Sequence, residues 1–285
     1  MTIQRFIRKI AFLGLLFTGT VMAAQPLVGV VVSMESEAKY VCAHNFNDCK
    51  HSSLKNGMNF YTGHFANQPA LLIISGVGLV NSAIATSTLI DNYHPNIIVL
   101  LGSSGGINSR VEGDVVIGGK VFNLDFGSFN STKDQPTYPQ GNHSDLFDPN
   151  TDKYEPLVLG TTLKPASESI ANKTVMYFKQ HPLPPEIKGA EKPTVKVGII
   201  ADSSIFYTPD SMTAEIKKAG VDAIAFEDIG FLQTCWSLKT KCVTFRSVSN
   251  ALPASKANPP ASASYAGQNA ALVAQQYLDF LFQKD

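Results

Sequence analysis

The feature of this sequence that most constrains its fold is a pair of apolar runs, each followed at once by a glycine-rich segment. Residues 70–74 precede the segment 75–78, and residues 96–101 precede the segment 102–106. Apolar runs of this length are typical of buried parallel strands. We interpret both glycine segments as turns at the carboxyl edge of one sheet, where open α/β folds bind ligands. The sequence therefore predicts an α/β fold with a ligand site at that edge.

Neither glycine segment matches a phosphate-binding motif. The first is too short for Gly-x-Gly-x-x-Gly, and no Gly-Lys-Ser/Thr follows either segment. Neither contains Arg or Lys, although loops that grip a phosphate dianion usually add a cation to their backbone N–H groups. We therefore expect a neutral, hydroxyl-rich ligand or a water at these turns.

The N-terminus has the pattern of a secretory signal peptide. Arg5, Arg8 and Lys9 precede an apolar stretch of 13 residues at 10–22, which ends in small residues at the expected cleavage position after Ala23. The stretch is short for a membrane span, although an uncleaved anchor is the alternative. We expect residues 1–23 to be removed and the mature chain to be periplasmic or secreted.

The cysteines agree with export. Cys42 and Cys49 are seven positions apart, as are Cys235 and Cys242, and no cysteine is left over. Two local disulfides are the simplest pairing, and pairing across the two regions is the alternative. Neither pair has the short Cys-x-x-Cys spacing of zinc sites, so no metal site is expected.

The charge balance of the mature chain limits the partners that we expect it to bind. The chain has 23 Lys and Arg against 23 Asp and Glu, and loss of the basic leader leaves a mild acidic excess without a basic patch. Nucleic acid is therefore not an expected partner, and no second segment is apolar enough to hold the mature chain in a membrane.

Strand and helix patterns alternate without a linker, which predicts a single domain over residues 24–285. Residues 127–165 show no sustained period and resemble a long surface loop.

Hydrophobic periodicity predicts the order of the elements. The predicted strands are 27–32, 58–64, 70–74, 97–101, 114–126, 195–201, 223–226 and 242–248, and the predicted helices begin at 35 and span 79–91, 167–179, 210–218, 227–238 and 262–282. Polar residues follow three of these strands: Glu35 and Glu37, then Glu227 and Asp228, then Asn250. Acids are also common in the first turn of a helix, and asparagine is common in turns.

Six segments resemble, in order, the motifs of the nucleoside phosphorylase and nucleosidase family, and most closely those of the 5'-methylthioadenosine/S-adenosylhomocysteine nucleosidases. The segments are 29–37, 74–83, 102–107, 198–206, 223–227 and 245–250. This resemblance covers most of the mature chain. It implies a three-layer α/β fold with a mixed, twisted central sheet flanked by helices, assembly as a homo-oligomer of two or more subunits, and no cofactor.

The resemblance also implies roles for individual residues. Glu37 aligns with the glutamate that deprotonates the attacking water, and Glu227 with the glutamate that holds the ribose hydroxyls. Carboxylates suit this chemistry because cleavage passes through a state resembling a ribosyl cation. The remaining predicted contacts line the pocket around the nucleoside. They are Phe206 stacked on the base, Tyr207 beside it, Phe226 under the ribose, and Ser75, Gly76, Gly78 and Ser103 at the glycine segments.

Two positions depart from the nucleosidase pattern. Asn250 stands where the adenine-specific enzymes carry an aspartic acid that protonates the leaving base, and Ala225 replaces a second glutamate. An amide donates a hydrogen bond but cannot transfer a proton, and general acid catalysis is worth about 10²- to 10⁴-fold. Phosphorylases of inosine and guanosine use asparagine to bridge N7 and the 6-oxo group, which makes a 6-oxopurine substrate the other interpretation of Asn250. Leu101 occupies a position where phosphorylases often have arginine, and this favours water over phosphate.

These features predict an exported enzyme that hydrolyses purine-type nucleosides in salvage, with water as the co-substrate. One alternative is a nucleoside-binding or storage-type protein with little turnover, favoured by Asn250 and Ala225. Another is a phosphate-dependent purine nucleoside phosphorylase. Retention of Glu37, Phe206 and Glu227 together favours the hydrolase.

Overall fold

Thirteen strands are formed by the part of the chain that the computed structural model describes. That part comprises residues 27–55, 57–107, 111–124, 128–129, 136–137, 144–148, 153–157, 167–185, 191–204, 220–251 and 260–283. The strands are β1 (Val28–Val32), β2 (Asn47–Lys55), β3 (Met58–Phe65), β4 (Gln68–Ile74), β5 (Ile97–Gly106), β6 (Val115–Asn123), β7 (Ser128–Phe129), β8 (Pro136–Thr137), β9 (Ser144–Asp148), β10 (Lys153–Leu157), β11 (Val195–Asp202), β12 (Ala223–Ala225) and β13 (Cys242–Ala251).

Nine of these strands form one mixed sheet, in the order β12-β11-β6-β13-β5-β1-β4-β3-β2. Strand β1 lies parallel to both β4 and β5, whereas β3 pairs antiparallel with both β2 and β4, so that these three strands form a meander. Strand β12 also pairs with β5 through Ala223 opposite Gly106. Five strands therefore close into a ring, and β1, β4, β3 and β2 extend from it as an open sheet.

Helices cover both faces of this sheet. They are α1 (Glu35–His44), α2 (Leu79–Tyr93), α3 (Glu168–Gln180), α4 (Asp228–Ser237) and α5 (Pro260–Phe282). Side chains alternate along β1, so that Val30 packs in the core shared with α1, α3 and α5, and Val31 in the core shared with α2 and α4. The predicted three-layer α/β fold with a mixed central sheet is thus confirmed. None of the described helices is long and apolar enough to cross a lipid bilayer.

The second glycine segment is a strand, and its prediction as a turn is wrong. Strand β5 continues through residues 102–106, which pair with β13 on one side and with β12 at their end. Gly102 does not change the chain direction. It allows the Arg246 side chain to approach the backbone of β5, because a Cβ at this position would collide with the guanidinium. The first segment is a true turn. Gly76 and Gly78 have φ values of +85° and +107°, which favour glycine.

Other predictions differ in extent. Strand β13 reaches Ala251, so Asn250 lies inside a strand instead of in the turn after it, and a bulge separates its pairing from that of Val248. Strand β2 was not predicted, and the region 127–165 contains the short strands β7 to β10 in two two-stranded sheets. The predicted helix at 210–218 and the predicted signal peptide lie outside the described residues.

Two local disulfides join Cys42 to Cys49 and Cys235 to Cys242. The simplest pairing is therefore confirmed, and pairing across the two regions is excluded. Cys42–Cys49 ties α1 to β2, and Cys235–Cys242 ties the end of α4 to the start of β13.

Candidate active site

Carboxyl ends of neighbouring strands bring the predicted site residues to one edge of the sheet. Glu37 follows β1, Ser75 follows β4, Ser103 lies on β5, Glu227 follows β12, and Asn250 lies near the end of β13. These strands are adjacent in the sheet order, apart from β12, which reaches β5 by closing the ring. The ring therefore places Glu227 beside the ends of β1, β4 and β5.

Glu37 is fully buried, and its carboxylate is held by both β1 and β5. Oε2 accepts hydrogen bonds from the Ser33 backbone N–H at 3.1 Å, the Ser33 hydroxyl at 3.0 Å and the Met34 N–H at 3.1 Å. Oε1 accepts the N–H of Ser103 at 3.0 Å. Donors at the start of α1 stabilise the carboxylate. The helix-start role and the predicted site role of Glu37 are thus compatible.

The glycine turn after β4 supplies a donor to the second glutamate. Ser75 anchors the turn to β1, since its N–H donates to the Val32 carbonyl at 2.8 Å. Beyond it, the N–H of Gly78 donates to Glu227 Oε1 at 3.3 Å. The left-handed backbone at Gly76 and Gly78 turns the chain so that this N–H faces the carboxylate.

Glu227 is 3% exposed and forms a buried ion pair with Arg246. Its Oε2 lies 2.7 Å from Nη2 of Arg246, which is itself fully buried. Burial raises the pKa of Glu227, and this effect outweighs the opposing effect of Arg246, while the nearby Asp228 and Glu37 charges raise it further. The site therefore carries more negative charge than its one guanidinium balances.

Arg246 connects the two glutamates. Its Nη1 donates to the carbonyl of Ser103 at 3.4 Å, and the N–H of that same residue donates to Glu37. One line of contacts thus runs from Glu37 through Ser103 and Arg246 to Glu227 and Gly78. The ion pair between Arg246 on β13 and Glu227 is therefore part of the contacts that join the two predicted site residues.

Asn250 is half-buried and held by its neighbour. The hydroxyl of Ser249 lies 3.0 Å from Asn250 Oδ1 and 3.2 Å from the carbonyl of Ser104. The bulge before Asn250 places it opposite Gly105 on β5, about four residues beyond Arg246 along the same strand.

Some of the remaining predicted residues lie in the described part of the chain, and others lie outside it. Phe226 is half-buried between β12 and α4, and Ala225, which stands where the family has a second glutamate, is buried in the core. Phe206 and Tyr207 lie outside the described residues. In the described part of the chain, no group of three or more His, Cys, Asp or Glu side chains is arranged to hold a metal ion.

Two buried acids near this site are not among the residues predicted to line it. Asp228 contacts Arg246 Nε at 2.8 Å, and Asp202, at the end of β11, accepts the N–H of Ile229 at 2.7 Å. A lone arginine in an apolar strand is a sequence signal for such partners, because a buried guanidinium needs carboxylates. The position of the arginine in the sequence does not show which acidic residues supply these carboxylates.

The family model described as the phosphorylase superfamily matches residues 27–281. The chain belongs to this superfamily. Among curated superfamily relatives, the 5'-methylthioadenosine/S-adenosylhomocysteine nucleosidase of Pseudoalteromonas translucida (strain TAC 125) is 29% identical over 231 residues, which cover 78% of this chain and 83% of the relative. The nucleosidase of the same name from Marinomonas sp. (strain MWYL1) is 25% identical over 265 residues, covering 88% and 98%.

Solved structures of nucleosidases and of a futalosine hydrolase share the fold. The 5'-methylthioadenosine/S-adenosylhomocysteine nucleosidase of Neisseria meningitidis, in complex with methylthio-immucillin-A, superposes with a TM-score of 0.63 at 24% identity and covers 90% of this chain and 99% of its own. Futalosine hydrolase of Helicobacter pylori strain 26695 superposes with a TM-score of 0.65 at 18% identity, covering 90% and 98%. The resemblance found from the sequence motifs is thus confirmed at the level of family and fold.

Proposed function

We propose that this protein hydrolyses the N-glycosidic bond of purine-type nucleosides. The observation that carries the proposal is the line of contacts that joins the carboxylates of Glu37 and Glu227 through Ser103 and Arg246. Two buried carboxylates at one sheet edge suit a reaction that develops positive charge on a sugar. The names of the curated relatives, which are nucleosidases, support the same reaction class.

In the proposed reaction, water attacks the anomeric carbon as the bond to the base nitrogen breaks. The bonding electrons leave with the base, and Glu37 accepts a proton from the water. Glu227 accepts hydrogen bonds from the ribose hydroxyls and stabilises the developing cation. Asn250 donates a hydrogen bond to the departing base but supplies no proton, so the base takes its proton from solvent.

Water is favoured over phosphate as the nucleophile. The guanidinium of Arg246 is fully buried and already paired with Glu227 and Asp228. A phosphate dianion would have to compete with these carboxylates for it. Leu101, where phosphorylases often have arginine, is completely buried in the core.

Asn250 favours a second candidate, nucleoside binding with little turnover. An amide at the leaving base removes a proton donor that is worth about 10²- to 10⁴-fold in rate. The same side chain favours a 6-oxopurine as the substrate, because an amide can donate a hydrogen bond to the N7 or 6-oxo acceptor, whereas the 6-amino group of adenine is itself a donor.

The proposal includes a location outside the cytoplasm and a role in salvage. Its support is the basic and apolar N-terminal pattern together with two disulfides, which persist in oxidising compartments. Homo-oligomeric assembly, which the resemblance implies, stays a prediction, and light scattering of the purified mature protein measures it.

One experiment tests the reaction. The mature protein is incubated with inosine, guanosine, adenosine and methylthioadenosine, with and without phosphate, and free base is measured by chromatography. Base release without phosphate supports hydrolysis, and release that requires phosphate supports a phosphorylase. No release from any nucleoside, with a nucleoside still raising the melting temperature, supports binding alone. Glu37→Gln keeps the size of the side chain, removes its charge and is expected to abolish turnover.

A further inference from the structure

Beneath the candidate site lies a group of charged side chains with little contact to solvent, which we call the buried charge cluster: Asp202, Glu227, Asp228 and Arg246. Each is at most 3% exposed. Glu227 is a predicted ribose ligand, whereas Asp202 and Asp228 have no part in the proposed reaction. Buried charges are costly unless they are paired, which raises the question of what the two aspartates do.

Asp228 grips the guanidinium from the first residue of α4. Its Oδ2 accepts the N–H of Arg246 Nε at 2.8 Å and lies 2.8 Å from Nη2. Its Oδ1 accepts the hydroxyl of Thr244. Thr244 and Arg246 are two positions apart on β13 and therefore share one face of the strand. Asp228 thus holds the guanidinium of Arg246 close to Thr244 on the same strand.

The held guanidinium sets the positions of both predicted glutamates. Nη2 contacts Glu227 Oε2 at 2.7 Å, and Nη1 contacts the carbonyl of Ser103 at 3.4 Å, whose N–H holds Glu37. A guanidinium is planar and rigid, so fixing its Nε side fixes the direction of its two other nitrogens. Movement at Asp228 would therefore be transmitted to Glu227 and Glu37 together.

Asp202 explains how this cluster tolerates three carboxyl groups around one cation. Its Oδ2 accepts the Ile229 N–H, but its buried Oδ1 has no hydrogen-bond partner among the described residues. Burial, followed by the neighbouring Asp228 charge, raises the pKa of Asp202 well above its usual range. A carboxyl group with a raised pKa holds its proton more readily, which reduces its repulsion with Asp228 and Glu227 beside Arg246.

We infer that Asp228 is a positioning residue, which locks Arg246 so that the guanidinium holds Glu227 and the Ser103–Glu37 pair at a fixed separation. The inference rests on the proposed nucleosidase function. It predicts that loss of the Asp228 charge impairs the reaction while the fold is kept. Misplacing reacting groups by about 1 Å costs on the order of 10²-fold in rate.

Asp228→Asn is the main test, since the amide keeps the size and can still bond to Thr244. We expect kcat/KM for base release to fall about 10- to 100-fold, in a protein that melts cooperatively. Thr244→Val is the second variant. It frees Oδ1 of Asp228 but leaves the charge, and it is expected to lose a smaller part of the activity.

A pH profile separates positioning from a folding defect. The charged groups that act on Glu227 are Glu37 from α1, Asp202 from β11, Asp228 from α4 and Arg246 from β13. Removing the Asp228 charge lowers the pKa of Glu227, because that charge contributes to raising it. The acid limb of kcat/KM is therefore expected to move to lower pH in Asp228→Asn.

Val243→Ala is the matched control. Val243 is buried on the other face of β13, in the core shared with α5, so truncation lowers the melting temperature without touching the cluster. We expect wild-type kcat, KM and pH profile below its melting temperature. The same result for Asp228→Asn would overturn the positioning role.

The test also separates the inference from the proposed function. If the wild-type protein releases no base, hydrolysis fails, and the positioning role is judged from calorimetric binding of methylthioadenosine and inosine. At least tenfold weaker binding by Asp228→Asn then supports the role. An unchanged Kd, or no binding by the wild-type protein, contradicts it.

Discussion

At the scale of single residues, Asn250 is the position that we expect to limit the rate of the proposed reaction. Its amide sits at the end of β13 with Oδ1 held by Ser249. Replacing the NH₂ group of that amide by a hydroxyl group would create a carboxyl group that can transfer a proton. The difference between a binding protein and an efficient hydrolase is therefore expected to lie largely at this position.

Asn250→Asp is expected to increase cleavage of methylthioadenosine by up to about 10²- to 10⁴-fold, the usual value of general acid catalysis. The measurement is kcat/KM for adenine release, with the pH dependence recorded to show a new acidic group. Asn250→Ala is the control, because it removes the hydrogen bond without adding an acid and should not gain activity. An unchanged rate in Asn250→Asp would mean that this side chain does not lie beside the base.

The raised pKa of Asp202 leads us to expect that the free energy of unfolding depends on pH. Its folded-state pKa is raised, so the stability it contributes is fully present below its unfolded pKa of about 4 and is lost as the pH rises towards the folded value. Asp202→Asn removes this titration. In urea unfolding from pH 4 to pH 8, we expect the variant to gain stability relative to wild type by up to about 1.4 kcal/mol per pH unit. Parallel curves for the two proteins would show that Asp202 is charged in the fold.

Single residues also show where sequence reasoning ends. The sequence predicts Glu37 and Glu227 because each follows a strand and matches a family motif. It does not predict the raised pKa of Asp202, which depends on complete burial and on Asp228. Neither property is visible in a chain where the two aspartates are separated by 25 other residues.

At the scale of elements, α2 and α4 approach each other at Gly230. The hydroxyl of Ser82 on α2 donates to the carbonyl of Glu227 at 2.7 Å, and a Cβ on Gly230 would overlap the carbonyl of Leu79. This close approach positions Glu227 against the glycine turn that starts α2, where Gly78 donates to its carboxylate.

Gly230→Ala is therefore expected to destabilise the protein by about 1–3 kcal/mol, the range for overpacking a core. Gly267→Ala is the matched control, since it is also in a helix but its Cβ would lie 3.7 Å from Glu37 Cγ, an ordinary contact. That variant should gain about 0.5–1 kcal/mol. Urea unfolding measures both changes. Equal changes of the same sign in the two variants would contradict tight packing between α2 and α4.

Among the elements, periodicity predicts those that bury an apolar face and misses the others. Strand β1 is valine-rich and buried along its whole length, and its bounds are close to the predicted ones. Strand β2 is the polar sequence NDCKHSSLK at the edge of the sheet. It forms because β3 offers backbone groups to pair with, and this is not encoded in its own side chains. The continuation of β5 through its glycines similarly depends on β12 and β13.

At the scale of the whole molecule, the two disulfides stabilise local structure on opposite faces of the sheet. Each closes a loop with a sequence separation of 7. Cys235 and Cys242 are buried at 3% and 5% exposure, whereas Cys42 and Cys49 are half-buried. The closed loops are short, so each bond restricts only a small part of the unfolded chain.

Replacing Cys42 and Cys49 together by alanine is expected to cost about 2–3 kcal/mol, the loop-entropy value for this separation. The same change at Cys235 and Cys242 should cost more, because it also leaves a cavity in the core. Urea unfolding of the two double variants beside oxidised wild type gives both values. A larger cost at Cys42 and Cys49 would contradict the burial argument.

The position of Cys235–Cys242 has a mechanical consequence for the site. Helix α4 is fastened to β13 at its end by this covalent bond and at its start by Asp228 and Arg246. Attachment at both ends prevents the helix from pivoting relative to the strand. We therefore expect the start of α4, next to Glu227, and the strand that carries Asn250 to move together, so that the spacing offered to the proposed nucleoside is set before binding. We expect NMR relaxation dispersion, which reports motion on the μs–ms timescale, to show no exchange between conformations in α4 and β13 with or without nucleoside.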